Sequence, residues 1–434
     1  MPAPSILRGK SVKIMSLFAV IVICYFYSSL QRISSGVILP HMGKAYGFSA
    51  SLVGFLSSLF FYSYGLTQNV WGAISDRTGP VRSCAIGIAM AAVGSSLLLV
   101  SPSPILIGMS RFFCGLGLAA YFTGIYIYAA LAFPIEEYPF WVGFVQVIGN
   151  LGTVAAVAPL GILMDRLGYR GVFLIFTVWA LCAAIILWLC RNMNIELDGA
   201  PPDKTRTAGG LLGLLADTWK DIRHGLAFIV GNKSLRLIVY AWSIVSAAVI
   251  TLQGLWGVSW ISVSSGAGEE TARFWTTWVS IGLVIGAMCG ARFAQKSKDI
   301  RSGMLMTLAP LGAAWCAYMA SALLGLPAHV MGTIGFFIGV GSSTCMVFSI
   351  STLKSLVPIS RAGLAIGTGQ MLLYIAVIVL QWGSGVIINQ FPGETAGSYL
   401  NAGFALAFGI AVLIIWHSAF LTWRMPEFSK ADME

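Results

Sequence analysis

Gly72-Ala73-Ile74-Ser75-Asp76-Arg77-Thr78-Gly79-Pro80-Val81-Arg82 is a short polar turn between two long apolar runs, 50–74 and 82–101. A helix of about 20 apolar residues spans a bilayer, so the stretch reads as a loop joining two membrane spans. Gly72 permits close helix approach. Asp76 is placed to sit against a helix N-terminus, whose partial positive charge favours a carboxylate. Arg77 and Arg82 offer partners to carboxylates or lipid phosphates. Outward from this loop, in both directions, apolar runs and short polar turns alternate along the chain.

The composition agrees. Charged residues are 10% of the 434, against about 25% in soluble domains, while hydrophobic types reach 57%. So few charges cannot cover the surface of a soluble protein. Disorder, a collagen-like fibre and a secreted disulfide scaffold are excluded on the same ground. Twelve spans are predicted, at 14–40, 50–74, 82–101, 105–133, 139–164, 171–191, 234–262, 272–293, 303–325, 328–353, 362–389 and 398–423. Their continuity makes them helices, because barrel strands would alternate over about ten residues. The first run is longer than the roughly 7–15 residues of a signal-peptide core, so it reads as a retained span. Eight cysteines lie singly within apolar runs without a CxxC. They are expected to be buried apolar thiols, with no metal site, disulfide framework or cofactor.

Charge placement sets the topology. With the N-terminus inside, Lys44, Arg166, Arg170 and Arg273 fall outside, and 20 of the 26 basic residues fall on the inner side. This bias predicts both termini in the cytoplasm of a cell (inner) membrane protein. The net charge of +10 therefore reflects topology and gives no reason to expect nucleic acid. The only long polar stretch is 192–233. Its Gly- and Pro-containing start reads as a linker. Its second part places Leu212, Leu215, Trp219, Ile222 and Leu226 on one stripe of an interfacial helix. The chain thus divides into a six-span half (1–191), a cytoplasmic linker with an interfacial helix (192–233) and a second six-span half (234–434). Ser29-Leu30-Gln31-Arg32 aligns with Thr251-Leu252-Gln253-Gly254, a weak sign that the halves repeat. The fold class is an all-α membrane protein, twelve transmembrane helices in two pseudo-symmetric six-helix halves.

The loop 72–82, with its glycine, Asp-Arg-x-Gly and following basic residue, resembles the signature loop of the major facilitator superfamily. Arg111-Phe112-Phe113-Cys114-Gly115-Leu116-Gly117 is similar to that family's span-4 motif. Gly149-Asn150-Leu151-Gly152 with Pro159 and Gly161 falls in span 5, and Asp165-Arg166-Leu167-Gly168-Tyr169-Arg170 precedes span 6. The resemblance covers the whole chain. It implies an alternating-access carrier with a cavity lined by spans 1, 2, 4, 5, 7, 8, 10 and 11. It also implies a conformational gate at Gly72, Asp76, Arg77, Gly79 and Arg82, coupled to Arg111. The second-half loop departs from the pattern, with Ala294-Gln295 where the Asp-Arg pair would stand, so the gate is expected to be asymmetric. Span 5 lacks the Gly-Pro-x-x-Gly-Gly run of drug/proton antiporters.

The intramembrane charges point to a substrate class. All sixteen acids fall in loops, tails or span ends, while Arg32 and Arg111 lie within spans. An intramembrane arginine costs several kcal/mol on most scales and marks a functional site by default. With no acid at its depth, Arg32 is expected to anchor an anionic substrate through a bidentate fork. Tyr25 and Ser28 share its face of span 1. Polar pairs at helical spacing supply further candidates: Tyr64 and Gln68, Gln146 and Asn150, Gln253 and Trp256, Gln370 and Tyr374. These either line a wet cavity or join helices. The expected function is secondary active transport of a small organic anion, a carboxylate or phosphate ester, by a monomer in contact with membrane lipids. A proton on the substrate or on a histidine is a candidate coupling ion, and anion exchange the other mode. The alternative is a carrier or exporter of neutral or amphipathic small molecules in which Arg32 is structural. No nucleophile–base set or phosphate loop indicates an enzyme.

Overall fold

A computed structural model describes residues 12–134, 137–191, 210–297, 299–357, 359–394 and 398–425. The described residues are almost wholly helical. They form α1 (Val12–Ile33), α2 (Ser35–Tyr46), α3 (Ala50–Thr78), α4 (Pro80–Val100), α5 (Pro104–Ala132), α6 (Tyr138–Ala155), α7 (Ala158–Leu189), α8 (Gly210–Gly231), α9 (Lys233–Thr251), α10 (Gly257–Ser265), α11 (Glu269–Lys296), α12 (Ile300–Leu323), α13 (Ala328–Ser355), α14 (Ile359–Ile388) and α15 (Asn401–Trp423).

These make twelve passes, several of them irregular where the sequence reads as uninterrupted. The first pass breaks at Ser34 and runs on through Pro40 to Tyr46, beyond its expected end. The fifth breaks at Ala156–Val157, just ahead of Pro159, and continues into α7 as far as Gly168. Gly168 has φ +63°, a left-handed conformation open to glycine, and separates the fifth pass from the sixth. The seventh joins α9 to α10 through a π-helical turn, Leu252–Trp256. The break in the first pass lies two residues beyond the segment Ser29–Arg32, and that in the seventh overlaps the segment Thr251–Gly254 aligned with it. They also touch: a Cβ on Gly36 would lie 2.9 Å from the carbonyl oxygen of Gln253 and 3.0 Å from the nitrogen of Leu255. Such breaks are tolerated at membrane depth only where protein, not lipid, surrounds the freed backbone groups.

Close packing elsewhere rests on small residues, as expected where apolar burial gives helices little reason to associate in lipid. A Cβ on Gly65 of α3 would stand 2.6 Å from the Cβ of Tyr374 on α14. At Gly72, by contrast, the nearest atom would be Thr123 Cγ2 at 3.9 Å. The close approach expected there is absent.

The linker helix and the cysteines show where two further expectations stand. The described part of α8 buries Thr218, Ile222 and Ile229, and its Gly225 abuts Thr368 of α14, while Trp219 is 63% exposed. Of the stripe expected on this helix, Ile222 is buried, Leu226 half-buried and Trp219 exposed, and the side chains of Leu212 and Leu215 lie outside the described residues. Residues 192–209 of the linker lie outside the described residues. Of the cysteines, Cys24, Cys84, Cys114 and Cys345 are buried, but Cys182, Cys289 and Cys316 face outward, where lipid is as apolar as a core.

The packing of α3 on α5 gives a direct test. A Cβ on Gly115 would lie 2.2 Å from the Phe60 carbonyl oxygen and 2.3 Å from Ser63 Oγ, whereas one on Gly143 would meet nothing within 4 Å. Gly115→Val is expected to cost about 1–3 kcal/mol, read as a lowered melting midpoint in detergent, and Gly143→Val to leave the midpoint unchanged.

Candidate functional site

Arg32 is the penultimate residue of α1, immediately before the break. Because the pass extends to Tyr46, Arg32 lies about 21 Å from that end at about 1.5 Å per residue, deeper than a pass ending at Pro40 would put it. Three phenols surround its guanidinium, those of Tyr374, Tyr64 and Tyr25. Tyr64 and Tyr374, one from each half, meet edge to face with centroids 5.2 Å apart. Phe61 and Phe60 stack on them at 5.9 and 5.4 Å. Gln68 stands beside Tyr64 on the same face of α3, its buried Nε2 without a partner. Tyr25 is tied to Tyr126, and the Tyr126 hydroxyl donates to Gln146 Oε1 at 3.1 Å. No described carboxylate forms an ion pair with Arg32, and its buried Nε has no partner. Arg32, Tyr126, Gln146, Asn150 and Gln370 each keep partial exposure.

The structure thus brings together Arg32, Tyr25, Tyr64, Gln68, Gln146 and Tyr374. Three other candidates bond to neighbouring helices. Ser28 Oγ donates to the Leu118 carbonyl at 3.4 Å. Trp256 donates to Ser384 Oγ at 2.9 Å and packs on Phe404. Gln253 Oε1 accepts from Ser280 Oγ at 3.0 Å, and that hydroxyl also reaches the Thr153 carbonyl in the other half at 3.4 Å. The π-helical turn explains the last two, since it rotates the residues after Thr251 away from the register of a regular helix.

Arg111 is buried apart from the 72–82 loop with which it was grouped. Its Nη1 donates to the Gln31 carbonyl at 3.0 Å, and its guanidinium covers the Phe60 ring at 4.7 Å. In the loop itself, Gly79 has φ +89° and its N–H closes α3 on the Ser75 carbonyl at 2.9 Å. Ser75 and Ser83 hydroxyls bond across the turn at 2.6 Å. Arg77 and Arg82 are exposed. The Asp76 side chain lies outside the described residues.

At the opposite end from this loop, an ion-pair network links the halves. Arg273 of α11 pairs with Asp165 of α7 and, at 2.9 Å, with Glu269, which in turn pairs with Lys44 of α2 at 2.6 Å. The Arg273 side chain is only 6% exposed and lies against Gly161, where a Cβ would stand 2.4 Å from its Cδ. Sequence reasoning placed Arg273 among topology charges and missed the network. A basic residue four after an acid in a helix's first turn, opposite an acid before another span, was the available sign. Tyr126 was also missed. It lies in an aromatic-rich part of span 4, where nothing in the spacing separates it from Tyr121 and Tyr128.

Comparison with known proteins accords with this architecture. The profile of the Major Facilitator Superfamily matches residues 21–380. The chain is 25% identical over 414 residues to the gentisate transporter of Corynebacterium glutamicum, covering 92% of this chain and 85% of that protein. It is 23% identical over 432 residues to a provisionally named tartrate transporter of Agrobacterium vitis, covering 92% and 89%. Among solved structures, a bacterial homologue of the human lysosomal transporter Spinster, inward-facing and unoccupied, superposes with TM-score 0.71 at 12% identity over 96% of this chain and 97% of that one. The inward-open xylose transporter of E. coli gives 0.67 at 14% identity over 97% and 99%.

The ion-pair network predicts how this end responds to substitution. Arg273→Gln removes the shared cation of Asp165 and Glu269 and should loosen the contact. Partly exposed pairs contribute up to about 1 kcal/mol each, so a cysteine placed at buried Ser280 should react about 2- to 10-fold faster with a polar maleimide in the Arg273→Gln background. Parallel samples without that cysteine correct for the native thiols. An unchanged rate would count against a closing role.

Proposed function

The chain belongs to the Major Facilitator Superfamily and is a transporter rather than an enzyme, and from that membership we propose that it carries a small organic anion anchored by Arg32. The supporting observation is a guanidinium held mid-pass by three phenols, with no described carboxylate in ion-pair contact. A cation at that depth gains most from a ligand that brings its own negative charge. A carboxylate or phosphate ester can engage two N–H groups of the guanidinium at once and accept further from Tyr64 and Tyr374. The names of the gentisate and tartrate transporters, both carriers of carboxylates, support the same class.

The mechanism is alternating access. The halves, 1–191 and 234–434, rock about the Arg32 region. In this conformation the network of Lys44, Glu269, Arg273 and Asp165 closes the outer end. Pairs of this kind separate at low cost because water solvates the released charges, which suits a gate that must open repeatedly. The loop Gly72–Arg82 latches the inner side in the other conformation. The protein works as a monomer in the cell's inner membrane with both termini in the cytoplasm. The acids with described side chains all lie near helix ends or in loops, so a coupling proton rides on the substrate or on a histidine, or else one anion is exchanged for another. Uptake with and without a pH gradient separates symport from exchange.

The anchor is tested by uptake into proteoliposomes against gentisate, tartrate and xylose as probes. Losing hydrogen bonds to a charged group costs about 1.5–3 kcal/mol, about tenfold to hundredfold in affinity. Arg32→Ala should therefore weaken anion uptake by at least that lower factor. Arg32→Lys should recover part of it, since it keeps the charge but loses the fork. Tyr374→Phe should produce a smaller loss. Anion uptake that survives Arg32→Ala, or uptake of xylose alone, would overturn the reading.

A further inference from the structure

A groove of about 500 Å3 runs along the outer face of the bundle between α9, α14 and α15. On α14 it extends from Leu372 to Ile387, about 22 Å at about 1.5 Å per residue. That is more than one leaflet of a hydrocarbon core about 30 Å thick. Val379, 66% exposed, and Ile410, 42% exposed, open it outward. Its wall is apolar except for Ser243, Ser384, Tyr240 and one cation, Arg236, at the mouth beside the end of α8. Arg236 Nη1 donates to the Val230 carbonyl at 2.6 Å, which parks the guanidinium over the opening while leaving the side chain exposed. Lys233 stands exposed one turn earlier on α9. Two other outward-facing apolar grooves, one between α11, α12 and α13 and one between α3 and α5, have no charged residue in their walls.

The helix interior supplies a second observation. Gly383 of α14 lines the groove, and a Cβ there would meet nothing within 4 Å. Glycine inside a helix costs about 0.5–1 kcal/mol relative to alanine. At Gly65 and Gly385 of the neighbouring surface that cost accompanies close helix approach. At Gly383 no part of this chain takes the space. An apolar channel kept open by a missing side chain, with a cation at its headgroup end, complements a ligand with one long acyl chain and one negative group.

We propose that this groove binds an anionic phospholipid, its phosphate on Arg236 and its acyl chain along α14 past Gly383. Leu372 and Ile375, which line the groove, flank Tyr374, whose side chain faces Arg32 on the other side of the helix. The bound chain therefore backs the helix that delivers Tyr374. The inference does not depend on the substrate being an anion.

Purified protein is titrated with phosphatidylglycerol and with phosphatidylcholine of identical acyl chains in mixed micelles. Bound lipids are counted by native mass spectrometry, and the melting midpoint is followed. A basic residue near a membrane surface attracts anionic lipid by an amount equivalent to about fivefold in affinity. The wild type should therefore bind phosphatidylglycerol at least that much tighter and melt higher with it. Arg236→Ala should bind the two lipids alike. Gly383→Leu, whose Cβ meets no protein atom within 4 Å, should reduce binding of both while its lipid-free melting midpoint does not fall below the wild-type value. Equal affinities in the wild type, a phosphatidylglycerol preference that survives Arg236→Ala, or unchanged binding by Gly383→Leu would overturn the proposal. So would a lipid-free dimer that Gly383→Leu dissociates, since a second copy would then be the occupant.

Discussion

The carbonyl oxygen of Gln31 sits where the first pass breaks, and two donors hold it: Arg111 Nη1 at 3.0 Å and Ser34 Oγ at 2.9 Å. In hydrocarbon an unsatisfied backbone group costs several kcal/mol, so a break at this depth needs such donors, one supplied locally by Ser34 and one by α5. Arg111 is fixed in turn by the Phe60 ring beneath it. The Gln31 side chain is held by the Tyr27 hydroxyl at 2.8 Å and by Ser95 Oγ at 3.2 Å. Arg32 is the next residue. Its position against Tyr25, Tyr64 and Tyr374 thus follows from a clamp on the peptide before it, and the break lets Gly36 seat against the π-helical turn of the other half.

That arrangement divides the two intramembrane arginines by role. Arg111 is spent on the fold, with a carbonyl and an aromatic face for partners. Arg32 is turned to the junction of the halves, with phenols that can donate to an anion as readily as they bond the guanidinium. The remaining buried cation, Arg273, is balanced by two carboxylates at the bundle's end. Carboxylates thus balance the charge only at Arg273; Arg111, whose Nε and Nη2 have no partner, stays closed in among helices, and Arg32 is the one that keeps partial exposure at the junction of the halves.

Much of this was legible in the sequence. Long apolar runs give the passes, because lipid forces continuous helices, and the absence of mid-span acids singles out Arg32. Helical spacing alone put forward Tyr25, Tyr64, Gln68, Gln146 and Tyr374, which the fold gathers near Arg32, since polar side chains facing one way in an apolar helix must face something polar. The rest depended on irregular backbone. Nothing in Leu252-Gln253-Gly254-Leu255-Trp256 announces a π-turn, so Trp256 was expected in the cavity and instead bonds Ser384. The break at Ser34 carries no proline, while Pro40, the residue that looks like a terminus, sits inside α2. Tyr126 and the contact of Arg273 with Asp165 depend on tertiary proximity, whereas the pairing of Arg273 with Glu269 follows from their i,i+4 spacing.

The central claim, that the charge of Arg32 is completed by the ligand, is tested most directly by calorimetric titration of the purified protein with a carboxylic acid it binds and with the corresponding primary amide. The two differ in charge and hardly at all in shape. The acid should bind at least about tenfold tighter, and raising the ionic strength should leave most of this difference in place, because the phenols around Arg32 are buried. Equal affinity of acid and amide would contradict it.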